Sequence, residues 1–323
     1  MKPINDADWL SRFNINITSN SNRIFNNGNH QLEVSVGLTP RKGETITTEQ
    51  LKSVRLVTLD DDGQYQELSG EYRASPERDK RFEYYANTGS APERLLQSNT
   101  YRMRFYVSST ASGGSIKTLY AAVTRDEDSH YVSHTSVFNS SVDVETITQP
   151  RFKRSDFKLE RIDILNNTVT DFTEFAGKFW EVETAVDLDL YHLEFKNPAF
   201  RIADADAAFL QGFAATFLGD RYDGEIVWGD NLASYLVEMN IHYLVDPRSP
   251  VKEFRYRHLS VPINSRAGAM DFIRLQLRGV DPKPEAGPPA PVDFSVFDQY
   301  GNKHTIKMTT EGPGELMDFR MLR

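Results

Sequence analysis

Apolar and polar residues alternate two by two along most of this chain. After the Asn27-Gly28 turn, Leu32, Val34, Val36 and Leu38 make one apolar row, with Gln31, Glu33 and Ser35 between them. Further on, Tyr101, Met103, Phe105 and Val107 oppose Arg102, Arg104 and Tyr106. Near the end of the chain Ile273, Leu275 and Leu277 oppose Arg274, Gln276 and Arg278. A period of two places successive side chains on opposite faces of an extended backbone, so each stretch predicts a half-buried strand. The runs VRLVTL, IKTLYAAVT, FWEVETAV, YLVEMNIHYLV, VDFSVF and KHTIKMT read the same way. Asp62-Gly63, Gly113-Gly114, Asp223-Gly224 and Gly301-Asn302 punctuate them with residues that tolerate the positive φ of tight hairpin turns. Strands joined by such short turns pair antiparallel, since parallel pairing needs a longer crossover.

Two segments predict helix instead. TTEQLKS offers Thr47 or Thr48 as an N-cap for one or two turns. ADADAAFLQGFAATFL spaces Phe209, Phe213 and Phe217 four apart, with Asp204 and Asp206 where a helix N-terminus favours negative charge. The expected fold class is all-β: two antiparallel β-sandwich domains, immunoglobulin-like or jelly-roll-like, with one or two short helices. A single jelly-roll-like unit with insertions is the alternative architecture.

The expected domains are residues 1–150 and 151–323. Pro150 interrupts strand pairing, and a new alternating run starts at Phe157. Residues 281–291 hold five prolines and read as an extended spacer. Residues 292–308 read as a terminal hairpin that either returns to the second sheet or pairs with another subunit.

Composition narrows the functional classes. The chain has 323 residues, 39% of them hydrophobic, with a net charge of −9. Mean hydropathy is −0.51, as in globular proteins that fold in water. Excess negative charge repels phosphate backbones, so the expected partners are proteins or further copies of the chain, with a glycan as alternative ligand and no nucleic acid. The longest apolar run, Leu119 to Val123, is far too short for a membrane-spanning helix. The opening residues MKPINDADWL lack the apolar stretch of a secretory signal. Cytoplasmic synthesis is therefore expected, with release by lysis or a dedicated secretion or injection system. The absence of cysteine removes disulfides, thiolate metal sites and thiol nucleophiles.

Motifs with chemistry are few. GxGxxG, GxxxxGK[ST] and GxSxG are absent, and neither a catalytic residue, a cofactor nor a metal is expected. TLDDDGQYQEL lacks acidic residues at the first and last positions of a calcium loop and reads as a hairpin turn. His130 and His134 sit four apart, about 13 Å on a strand and too far for one ion. Asp187 and Asp189 read as one polar strand face. Arg102, Arg104, Arg255, Arg257, Arg274 and Arg278 place basic rows on strand faces of an acidic chain. Solvated outer faces with cross-strand ion pairs explain such rows most simply. The functional reading makes Arg102, Arg104, Arg255 and Arg257 an interface for acidic protein surface. Trp228, with Asp230 and Asn231 beside it, is a candidate carbohydrate platform, although a Trp covering the core explains it as well.

These observations predict a non-catalytic structural or partner-binding β-sandwich protein, self-assembling, of the kind found in phage-like particles, injection apparatuses or bacterial toxin complexes. A lectin or carbohydrate-binding module is the alternative. A third reading is an all-β glycosidase whose carboxylates converge from distant parts of the sequence.

Overall fold

The computed structural model describes residues 8–85, 99–169, 173–175, 178–180, 185–206, 213–216, 238–256, 259–278, 292–311 and 316–322. The fold is all-β with one short α-helix among these residues. It divides into two compact units, Met1–Pro150 with Tyr300–Asn302 and Arg151–Gln299 with Lys303–Arg323. No helix among the described residues is long and apolar enough to cross a membrane.

The first unit opens with β1 (Leu10–Ile17), β2 (Arg23–Phe25) and β3 (Leu32–Pro40), then α1 (Thr48–Lys52). Thr47 caps α1: its side chain accepts from the Gln50 N–H, while the Gln50 side chain accepts from the Thr47 N–H. β4 (Arg55–Leu59) and β5 (Tyr65–Glu67) form the hairpin expected of the Asp-rich stretch. Gly63 takes φ +72° in its turn, and Asp60 accepts from the N–H groups of Asp62 and Gln64. β6 (Tyr72–Ser75), β7 (Tyr101–Ser109), β8 (Ile116–Thr124), β9 (His130–Val132) and β10 (Val142–Ile147) follow.

These strands form two sheets, ordered β1-β3-β7-β6 and β2-β10-β8-β4-β5, with β9 paired to β8. One core cluster joins them, with Phe13, Val34, Val36 and Leu38 from the first and Ile24, Leu56, Leu119 and Val144 from the second. The Leu32–Leu38 row faces this core, as its alternation requires. On the other face of β3, Ser35 is 5% exposed and stands in register between Asn16 of β1 and Arg104 of β7. The open edge of β1 is capped at one point, where the Ser140 hydroxyl accepts from the Ile15 N–H and donates to the Ile15 carbonyl.

The second unit begins with a single 3₁₀ turn at Arg154–Asp156 and β11 (Phe157–Val169). β12 (Thr173–Phe175) and β13 (Lys178–Trp180) pair with each other before β14 (Ala185–Phe195). β15 (Ile202–Asp206), β16 (Phe213–Thr216) and β17 (Glu238–Val245) come next. The hairpin of β18 (Glu253–Tyr256) and β19 (Leu259–Pro262) precedes β20 (Met270–Arg278). β21 (Val292–Asp298), β22 (Lys303–Glu311) and β23 (Leu316–Met321) end the chain. As expected of the C-terminal stretch, β21 and β22 form a hairpin, and it lies in a sheet ordered β15-β21-β22-β23. The other large sheet runs β11-β14-β20-β17-β16.

The five-stranded sheet is covered on both faces. Tyr191, Leu193 and Phe272 pack with Phe294, Val296, Ile306 and Phe319 of the four-stranded sheet. On the other face Leu188, Leu190, Ile273 and Leu275 pack with Phe254, Val261 and Ile263 around the β18–β19 hairpin. Two expectations fail in this unit. The described parts of the stretch expected to be helical are strands in different sheets, Ile202–Asp206 and Phe213–Thr216, and its other residues lie outside the described ones. A spacing of four returns a side chain to the same face of a strand as well as of a helix, so the Phe series does not discriminate. Arg274 is not on a solvated outer face; it is 1% exposed.

Candidate functional site

The inner face of the five-stranded sheet changes character along its length. Around Phe157, Leu193, Tyr191 and Phe272 it is largely apolar; two residues beyond the Tyr191–Phe272 pair of β14 and β20 it becomes charged. One rung runs Asp163 of β11, Asp189 of β14, Arg274 of β20 and His242 of β17 in Cα register. The next aligns Asp187, Gln276 and Asn240. β11 shifts register after Asp163, a bulge that breaks the regular pairing beside the charged rung.

Asp189 is fully buried and accepts from two guanidiniums. Arg161 Nε lies 2.7 Å from its Oδ1, and Arg274 Nη1 lies 2.9 Å from its Oδ2. Arg274 Nη1 also reaches Asp187 Oδ2 at 3.1 Å, so one guanidinium clamps two carboxylates two residues apart on the same strand face. Burial raises the Asp189 pKa above the ordinary carboxylate value, against the opposing pull of Arg161 and Arg274. Burial likewise raises the Tyr191 hydroxyl, with the Asp189 charge adding to it; that hydroxyl accepts from the Met317 N–H. Asp187 is 8% exposed, and its Oδ1 is buried with no hydrogen-bond partner. Asp163, Asp187 and Asp189 each present one oxygen, all within 4.8 Å of one another.

The opposite face carries a second polar knot. His192 Nδ1 and Asp271 Oδ1 lie 2.6 Å apart, both residues buried. Asp271 Oδ2 accepts from the Asn264 N–H at 2.8 Å. Asn264 adopts φ +49°, and its side-chain amide donates to the Asp246 carbonyl at 3.0 Å. This arrangement ties two loops to the sheet, which is structural work. On its solvent side, Glu160 bridges Lys158 and Arg266 at 2.6 and 2.8 Å.

The residues singled out in the sequence do not converge. Arg104 lies on the outward face of β7, 3.7 Å from Glu33, and Arg102 is half-buried beside it, in register with Gly37. Arg255 stands exposed on β18 and pairs with Glu253 at 2.6 Å. Arg257 and the whole Trp228, Asp230 and Asn231 group lie outside the described residues, as does the 281–291 spacer. His130 contacts Thr124, whereas His134 packs on the Tyr120 ring. Asp204 is on a strand rather than a helix N-terminus, buried and 2.6 Å from Arg248. Asp187 and Asp189 do share one strand face, but a buried one. Sequence reading missed Arg161 and Asp163, whose only signal was charge within the alternating run of β11.

No family model matches this chain, and no curated protein matches it.

Proposed function

We propose that the protein is a non-catalytic β-sandwich component that works by docking against other protein chains, foremost copies of itself. The supporting observation is the openness of its sheets. The orders β1-β3-β7-β6, β11-β14-β20-β17-β16 and β15-β21-β22-β23 all end in strands whose outer edges pair with no described strand. An open edge offers a ladder of N–H and C=O groups to an added strand. β11 spans 13 residues and is the longest of these edges. Its charged residues Lys158, Glu160, Arg161 and Asp163, with its two register shifts, restrict which strand can add. The exposed guanidinium of Arg104, on a chain of net charge −9, supplies local charge complementary to the acidic surface of a second copy. Particles, injection machines and toxin complexes are settings such a component suits.

Size-exclusion chromatography with light scattering tests this reading across a wide concentration range. Mass should rise with concentration, and Arg104→Glu should weaken the association. A strict monomer at every concentration, without cross-linking between copies, overturns it.

A further inference from the structure

We propose that Asp163, Asp187 and Asp189 form a calcium-binding site at the charged end of the five-stranded sheet. Carboxylate clusters alone are common on protein surfaces; two features set this one apart. Two of the three carboxylates, Asp187 and Asp189, are buried, and Asp187 keeps a buried oxygen, Oδ1, that no donor satisfies. A buried carboxylate oxygen without a partner is costly, and an ion beside it removes that cost. Asp163 is exposed, so an ion could enter from solvent without opening the sheet.

The donor set selects the ion. Three hard oxygen donors without nitrogen or sulfur favour calcium or magnesium over zinc or copper. Ligands on opposite sides of a calcium ion stand about 4.6–5.2 Å apart, which accommodates oxygens within 4.8 Å of one another. Magnesium demands near-ideal octahedral geometry and sheds water reluctantly, a poor match to carboxylates pinned on two strands by arginine. Arg161 and Arg274 would act as positioning residues for Asp189 and Asp187, and since both Asp189 oxygens accept from them, an ion would share that carboxylate with a guanidinium. Two guanidiniums against three carboxylates leave one uncompensated negative charge, so the affinity expected is weak, about 10⁻⁴–10⁻³ M.

Chelator-treated full-length protein, titrated with calcium chloride in a calorimeter, should give a saturable heat. Its melting temperature should rise by about 3–6 °C at a tenfold excess over Kd. Asp163→Asn, an exposed change that the fold tolerates, should abolish most of both signals, as should Asp187→Asn where it folds. Glu160→Gln, at a half-buried acid on the opposite face, should leave both intact. Absence of heat and of thermal shift with calcium, or an Asp163→Asn variant that responds like the wild type, overturns the proposal.

Discussion

At the scale of single residues, Arg274 ties together the buried charges of the second unit. Its guanidinium is 1% exposed and neutralises two carboxylates that have little or no access to water. Truncation would leave Asp187 and Asp189 buried, with Arg161 on Asp189 the remaining guanidinium paired to them among the described residues, and breaking a buried pair from one side costs about 3–5 kcal/mol. Arg274→Ala should therefore lower the urea midpoint sharply, with an unchanged denaturant slope. The triple replacement Arg274→Met, Asp187→Leu, Asp189→Leu should recover most of the loss, because a well-packed apolar trio avoids the desolvation penalty altogether. A single variant as stable as wild type would show the charges to be better hydrated than their geometry allows. The sequence made this residue legible only in part. Alternation told Arg274 apart from Ile273 and Leu275, but alternation reports that two faces differ, not that one meets water. Both faces of β20 are covered, one by the β18–β19 hairpin and the other by the four-stranded sheet, and alternation cannot report either cover. Asp163 was invisible for a related reason: its convergence with Asp187 depends on the β11–β14 register, which turn residues do not encode.

At the scale of elements, short-range chemistry was the reliable guide. The α1 capping box, the Gly63 turn between β4 and β5 and the Gly301 turn between β21 and β22 are each written in adjacent residues. The Phe213 segment misled because its period fits two conformations and only tertiary pairing with β17 selects one. Pairing of elements also has a pH signature. Glu160 on β11 accepts from Arg266 and Lys158, and those two hydrogen bonds, Arg266 foremost, depress its pKa from 4.5 to about 2. A carboxylate whose folded pKa lies below its unfolded one stabilises the fold above the unfolded value and loses that contribution as pH falls through the folded one. The loss therefore spans pH 4.5 to about 2. Glu160→Gln should flatten the acid limb of a stability–pH profile within that window and change little at neutral pH, where the ion pairs are solvent-screened. An acid limb of unchanged steepness in the variant would assign the pH dependence to other carboxylates.

At the scale of the whole molecule, each unit closes its own hydrophobic core. Trp9, Phe13, Val36 and Leu119 belong to one cluster, and Phe157, Tyr191, Phe272 and Phe294 belong to another. Cooperative unfolding follows the core, so each unit should melt as its own block. Differential scanning calorimetry should then need two transitions, and paired substitutions should assign them. Trp9→Ala removes a ring that is 1% exposed, and loss of a buried Trp costs about 3–5 kcal/mol. It should lower one transition, whereas Arg274→Ala should lower the other, and the double variant should show both shifts undiminished, since the two residues belong to different units. Self-association would appear in the same traces, because a transition coupled to dissociation moves upward with protein concentration and an isolated one does not. A single peak that either substitution displaces as a whole would mean that the two cores unfold as one cooperative block.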